Sequence, residues 1–347
     1  MKRLVPLAAC FIAVLLISSP SAQAEEAKIV LRLADSFPAS GHYFSEPGAK
    51  YFMEAVQKAT NGQVEFQHYP AEQLGKAKDL PALTRSGVVD IGSVMPSYAA
   101  EKMPLSAVGE LPGIFNSSCE GTLAFWKLAR DGVLAQKEFQ PNGLRVLFAL
   151  VAAPYQVLMR QKIETVKNLE GKKIRALGSA VDLAMRQLKA TPIRMSAPEI
   201  YESLSRGTID GTVISYVAAM SYDLGPLARS VTTGQGFGSA VLTYSISETR
   251  WKGLPPNVQE AMLKAGDEAT RRSCERMDKD TDTDLARLQK LGIAAVTFSP
   301  DEQQELVKLF ANVGTAWGEE LDRRGKPGSE VLKAYQDAVR NVRNGQP

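Results

Sequence analysis

The stretch from Ile29 to Tyr69, IVLRLADSFPASGHYFSEPGAKYFMEAVQKATNGQVEFQHY, changes period twice. Residues 29–34 alternate as a strand does. Phe52, Val56 and Ala59 then keep helical spacing until Asn61-Gly62 stops the helix. Alternation returns from Gln63 to Tyr69, with Val64 and Phe66 on one face. Downstream, AKDLPALTRSG (77–87) predicts a short helix ended by Gly87, and VVDIGSV (88–94) a third strand. A β-α-β-α-β order points to an α/β sheet covered by helices.

A second unit begins near residue 157. QVLMR (156–160) and KKIRAL (172–177) read as strands. Ser179 is the expected N-cap of a helix over 180–189, with Val181, Ala184, Met185 and Leu188 on one face. Ser196 and Glu199 fit a capping box opening a helix over 197–206. GSAVLTYSIS (238–247) is strand-like. Pro255 to Leu291 reads as a charged helix of about 35 residues, ~50 Å long, enough to run across two domains. Residues 300–323 and 328–343 are amphipathic helices. LTRSGVVDIGSV (83–94) and LSRGTIDGTVI (204–214) echo each other: a helix ends at Gly87 or Gly207, and Asp90 or Asp210 opens an apolar strand. That suits two similar α/β halves.

The composition is globular: 347 residues, 44% hydrophobic and 23% charged, enough for two cores. The net charge of +3 gives no basic field for nucleic acid. Lys2-Arg3, the apolar run Leu4–Ile17 and the A-x-A of Ala22-Gln23-Ala24 read as a secretory signal cleaved after Ala24. The run is too short to span a bilayer, which weighs against the alternative of a retained anchor. Leu7-Ala8-Ala9-Cys10 mimics a lipoprotein box, but the apolar run continues past it. Cys119 and Cys274 could pair in an oxidising compartment, although spacing alone does not place them within reach.

Catalytic chemistry has little to work with. The two histidines, His42 and His68, sit in no metal motif, and His68 reads as structural. There is no C-x-x-C, nucleophile elbow or Walker A loop. Gly234, Gly236 and Gly238 lack the spacing of a dinucleotide fingerprint. No cofactor and no metal is expected. Arg175 stands out, a guanidinium between Ile174 and Ala176-Leu177 where a strand ends and a helix begins. Ligands of open α/β sheets gather at such ends, and a guanidinium there offers a planar fork to a carboxylate. The alternative is an ion pair with a protein acid.

The mature chain resembles the periplasmic solute-binding proteins of tripartite ATP-independent periplasmic (TRAP) transporters, the DctP-like family. The resemblance runs through FPASGHY (37–43), YPAEQLG (69–75), SGVVDIG (86–92), ELPGIF (110–115), NLEGKKIRALG (168–178) and PEIYESLSRGTIDG (198–211). It implies two α/β domains joined by hinge strands and a long shared helix, closing on a ligand in the cleft. With the strand pattern, the expected domains are 25–157 with 238–280, and 158–237 with 281–347. It also implies that Arg175 clamps a ligand carboxylate and that Arg160, in LMRQ, is a second ligand arginine. The family's partner is an ion-gradient-driven membrane permease; a periplasmic monomer without catalysis is expected.

Other positions depart from the sugar-acid and C4-dicarboxylate binders. Where those often carry Gln-Glu-Asn-Pro after the Asp-Gly, this chain has Thr212-Val213-Ile214-Ser215-Tyr216; after VVDIG it has Ser93-Val94-Met95-Pro96-Ser97-Tyr98. Ile214, Met95 and the tyrosines suggest a less polar pocket, for an apolar or aromatic monocarboxylate or a 2-oxo or 2-hydroxy acid. Tyr98, Tyr155 and Tyr216 are candidate walls, Ser93 a polar contact and His42 a loop contact; each has packing, or for His42 an ordinary surface loop, as its alternative. Two rivals stay open: a secreted enzyme that orients a carboxylate, and a sensor serving a membrane kinase.

Overall fold

A computed structural model describes residues 28–346; the expected leader, with Cys10, lies outside the described residues. Two sheets organise the chain. The first holds β1 (Ile29–Ala34), β2 (Val64–Tyr69), β3 (Ile91–Val94), β4 (Leu144–Val151) and β10 (Val241–Ser247), in the order β2-β1-β3-β10-β4. The second holds β5 (Gln156–Met159), β6 (Lys173–Ala176), β7 (Thr191–Arg194), β8 (Gly211–Ile214), β9 (Ser230–Thr233) and β11 (Ala294–Thr297), in the order β11-β9-β5-β8-β6-β7. β1 is parallel to β2 and β3, and β6 to β7 and β8, as crossover helices require.

Those helices are α1 (Tyr51–Ala59), α2 (Leu80–Arg85), α3 (Ser118–Arg130), α4 (Ser179–Gln187), α5 (Ile200–Arg206), α6 (Tyr216–Ser221), α7 (Glu248–Lys252), α8 (Pro256–Lys290), α9 (Pro300–Arg323) and α10 (Gly328–Arg343). The expected opening order is present, and the last two helices have the expected bounds. Ser196 and Glu199 form the capping box. Ser179 does not cap α4: it is the first helical residue, and extended Gly178 takes the cap position without a side-chain bond. That glycine leaves room for the facing domain, as shown below.

The sequence echo has a structural cause. Gly87 and Gly207 both adopt left-handed φ, +77° and +73°, which ends each helix sharply. Asp90 then accepts the Arg32 N–H with its carboxylate (2.9 Å) and donates its own N–H to the Arg32 carbonyl (3.1 Å). Asp210 does the same with Lys173 (2.8 and 2.7 Å). In each half the aspartate pins the incoming strand to its parallel neighbour.

The chain passes between the sheets three times. Residues 152–155 and 237–240 cross side by side: Ala152 N–H donates to Ala240 O (2.9 Å), Tyr155 N–H to Gly238 O and Phe237 N–H to Tyr155 O (2.8 Å each). All of β5 lies in the second sheet, so this crossing comes slightly ahead of the expected 157/158 boundary. α8 makes the third passage. Its Met262, Ala269, Cys274 and Met277 join the large core, which runs from the first sheet into the second at Val157, Ile174 and Val213, and its Leu288 joins the smaller core of the second unit. A Cβ on Gly266 would sit 1.9 Å from the Leu147 carbonyl oxygen, so α8 lies directly on β4. A Cys119–Cys274 disulfide, Cα atoms 4.8 Å apart, ties α3 to α8. α10 packs on α3, where Tyr335 donates to Gly121 O (3.1 Å) and Arg343 pairs with Glu120 (2.8 Å). The final helix therefore sits on the first unit, although the sequence pattern places 281–347 with the second.

Under the first sheet Phe148 stacks on Tyr244 (4.5 Å between centroids), with Phe44 and Phe52 against the pair. Each fully buried aromatic or aliphatic side chain contributes roughly 1.5–3 kcal/mol. This core fixes the carboxyl ends of β1 and β3 that face the second unit.

Candidate ligand site

Arg175 is the third residue of β6, flanked in register by Ile193 of β7 and Thr212 of β8. Its side chain is 1% exposed. Nε donates to Met195 O (3.2 Å) and Nη1 to Val213 O (3.4 Å), so the carbonyls that end β7 and begin to leave β8 hold the guanidinium in place. Nη2 is buried without a partner. Among the described residues no carboxylate forms an ion pair with it, so the structural ion-pair alternative does not hold here. Burying a cation this way costs several kcal/mol.

Four phenols lie near enough to the cation to be electrostatically coupled to it: Tyr43, Tyr98, Tyr155 and Tyr222. Burial pushes all four hydroxyl pKa values upward, so they remain neutral donors. Tyr43 follows β1, Tyr98 lies on the short helix Pro96–Ala99 after β3, Tyr222 ends α6 after β8, and Tyr155 is in the hinge. Three of them thus come from carboxyl ends of strands, where open α/β sheets place ligands. Tyr43, Tyr98 and Tyr222 keep part of their surface open. A cavity of about 560 Å³ lies on the far side of Tyr98, lined also by Leu177, Met195 and Glu199; Arg175 and the other three tyrosines do not line it.

His42 lies between Phe37, stacked at 4.2 Å, and Tyr43 at 4.1 Å, with Tyr222 edge-on at 5.8 Å. Its Nδ1 accepts the Phe44 N–H (3.3 Å), which puts the proton of the neutral ring on Nε2. Nε2 is buried and unpaired. Burial lowers the ring's pKa to about 3, so His42 is uncharged at neutral pH.

The domains meet across this site. Ala197 N–H donates to the Tyr98 hydroxyl oxygen (3.0 Å). Ser97 and Glu110 press on Gly178, where an added Cβ would lie 2.6 Å from Glu110 Oε2 and 3.1 Å from Ser97 Cβ. Ser97 Oγ donates to Glu110 Oε1. Oε2 has no partner, and burial pushes the Glu110 carboxyl up to about 7.

Of the residues singled out in the sequence, Arg175, Tyr98, Tyr155 and His42 come together. Ser93 lies beneath, its Oγ accepting the Ser36 N–H (3.0 Å) and so fixing the loop after β1. Met95 is buried in the large core. Ile214 and Tyr216 belong to the smaller core of the second unit, where the Tyr216 hydroxyl donates to Thr232 O (2.8 Å); neither joins the ring around Arg175. Arg160 is exposed at the other end of the sheet, its guanidinium beside Gly207. β5 runs antiparallel to β8, with Gln156 opposite Ile214 and Met159 opposite Gly211. The residue before β5, Tyr155, therefore reaches the site, and the residue after it, Arg160, points away from it. Tyr43, Tyr222, Phe37 and Glu110 escaped the sequence reading. Tyr43 adjoins His42, and Tyr222 ends the helix that Tyr216 begins. No group of three or more His, Cys, Asp or Glu among the described residues could hold a metal, and no described helix is long and apolar enough to cross a membrane.

Residues 39–319 match the family model described as bacterial extracellular solute-binding protein, family 7. A solute-binding protein of Albidiferax ferrireducens is 25% identical over 280 residues, 79% of this chain and 80% of its own. The C4-dicarboxylate-binding periplasmic protein DctP of Rhodobacter capsulatus is 25% identical over 312 residues, 84% of this chain and 86% of its own. The fold superposes on a TRAP solute-binding protein from Rhodoferax ferrireducens crystallised with copurified benzoate, with a TM-score of 0.83 at 24% identity over 90% of this chain and 98% of that one. With a two-sheet cleft, paired hinge segments and a buried arginine at its centre, the chain belongs to the bacterial extracellular solute-binding proteins of family 7, the DctP-like receptors of TRAP transporters.

Proposed function

We propose that this receptor captures an aromatic or similarly apolar monocarboxylate in the periplasm and presents it, cleft closed, to the membrane permease. The observation that carries the reading is Arg175 Nη2, buried and unpartnered, with four phenols near enough to be coupled to it. One guanidinium nitrogen held free by two backbone bonds suits one carboxylate. Arg175 is the only lysine or arginine fully buried among the described residues, and His42 is neutral, so a second carboxylate finds no countercharge. The phenol faces favour an offset-stacked ring. The relative with bound benzoate supports the same class.

Capture follows from the geometry. The ligand carboxylate meets Arg175 of the second domain, and its body meets Tyr43 and Tyr98 of the first. Contacts that need both domains are made only in the closed form, and that difference drives closure. A thermal-shift series with benzoate, mandelate, 2-oxobutyrate, succinate and sialic acid tests the reading. Benzoate or mandelate should raise Tm by several degrees in the wild type and leave Arg175→Ala unmoved. Stabilisation by succinate or sialic acid without any by the monocarboxylates would overturn it.

A further inference from the structure

Glu110 is the buried acid that the capture mechanism leaves unused. It ends a short helix, Leu105–Glu110, of the first domain, and its backbone carbonyl accepts the Ser239 N–H (3.1 Å) at the hinge. The carboxyl group is fully buried because Gly178, at the start of α4 in the second domain, closes over it. Every group that faces it can be named. Ser97 Oγ donates to it, and the Val241 backbone favours its ionised form. Arg175, across the cleft on β6, favours its ionised form, and Asp182 on α4 disfavours it. Tyr98 and Tyr155 are coupled to it as neutral phenols.

Opening the cleft lifts Gly178 away and lets water reach Oε2, which returns the group to the ordinary carboxylate range of about 4.3. Closing it removes that water and supplies no donor in its place, so the charged form loses its solvation. A ligand carboxylate on Arg175 pushes the same way, because it neutralises the one nearby cation that favours Glu110 as an anion.

We propose that Glu110 is a positioning residue for closure: the domains come together with a proton on its carboxyl group, so that capture of the organic anion takes up a proton. This rests on the receptor reading above. The sign follows from linkage. Protonation differs between the open and closed forms only between the two pKa values, and there the closed form holds more protons. Affinity is therefore greatest in mild acid and weakens as pH rises toward neutrality.

Titration calorimetry with benzoate, run in two buffers of different ionisation heat, counts the protons. The wild type should take up close to one proton at about pH 6 and almost none at about pH 8, with affinity weakening up to roughly tenfold per pH unit between about pH 5 and 7. Glu110→Gln should bind with no proton uptake and a flat profile over that range. If that variant does not fold, Ser97→Ala serves: losing a donor to the carboxylate should move the falling limb to higher pH. A wild type without uptake at about pH 6, uptake unchanged in Glu110→Gln, or a limb unmoved in Ser97→Ala overturns the proposal. Benzoate binding without proton uptake sinks this coupling alone. No benzoate binding at any pH sinks the ligand reading and this coupling with it.

Discussion

The backbone N–H of Ala197, in the second domain, donates to the hydroxyl oxygen of Tyr98, in the first, at 3.0 Å. This bond joins two loops across the ligand cleft. It forms only when the domains are together, so it stabilises the closed state and leaves each domain's own folding untouched. Tyr98→Phe should weaken benzoate binding about fivefold, the equivalent of one net hydrogen bond of about 1 kcal/mol. Stopped-flow should find the loss in faster release. A melting temperature that falls in the ligand-free protein would instead make Tyr98 a structural residue.

Arg175 presents the opposite trade. Whenever the cleft closes without ligand, its buried charge lacks a counterion, and replacing buried ionic groups by apolar ones of similar size is often neutral or stabilising. Arg175→Met should therefore melt at or above the wild-type temperature without ligand, and gain nothing from benzoate. A drop of several degrees in the free protein would show that the two carbonyl contacts to Met195 and Val213 outweigh the cost of the charge.

Acid should reveal His42. Its folded pKa lies near 3, below the ordinary 6.5, so the unfolded chain takes the proton first as pH falls. The stability it contributes is complete above pH 6.5 and is lost as pH drops toward 3, on the order of 4 kcal/mol in all. His42→Phe keeps a ring between Phe37 and Tyr43 but cannot titrate. It should cost some stability at neutral pH, because the Phe44 N–H loses its acceptor, and then lose less on acidification. Parallel melting curves from pH 7 to about 4 would refute the assignment.

Gly266→Ala tests the seat of the long helix. The added methyl group would fall on the Leu147 carbonyl, which belongs to β4 and cannot step aside as a side-chain end could. Overpacking of this kind costs about 1–3 kcal/mol. Urea unfolding should show a lower midpoint with an unchanged slope.

The fold was legible because its elements are strongly patterned. Alternation and helical spacing bounded β1, α1, β2, α9 and α10, and the echo around Asp90 and Asp210 turned out to mark the same strand pairing in both halves. Arg175 could be found because a charge between apolar strand residues breaks that pattern. Tyr98, Tyr155 and His42 also stand out in the sequence, but which of the remaining candidates join them is not legible there, for a geometric reason. Whether Tyr155 or Arg160 faces the ligand depends on the direction of β5 relative to β8, and short apolar strands read the same in either direction. Tyr216 and Tyr222 likewise differ only in which end of a short helix points at the cleft. α10 is amphipathic in sequence, but the identity of the surface it covers, α3, is a tertiary fact.

The Cys119–Cys274 bond has a mechanical consequence. It clamps α8 to the first domain at Cys274, while the same helix is seated in the second domain's core at Leu288. Between them lie thirteen residues of helix, and the two positions are roughly 20 Å apart along its axis. Any rotation of one domain on the other must flex or swivel this span, because it is anchored at both ends. α8 is therefore a beam held at both ends, and the disulfide is part of its attachment to the first domain. Domain rotation is therefore shared between the hinge segments and the short stretch of α8 beyond Asp278, whose carboxylate still holds the Ser118 and Cys119 N–H groups of the first domain.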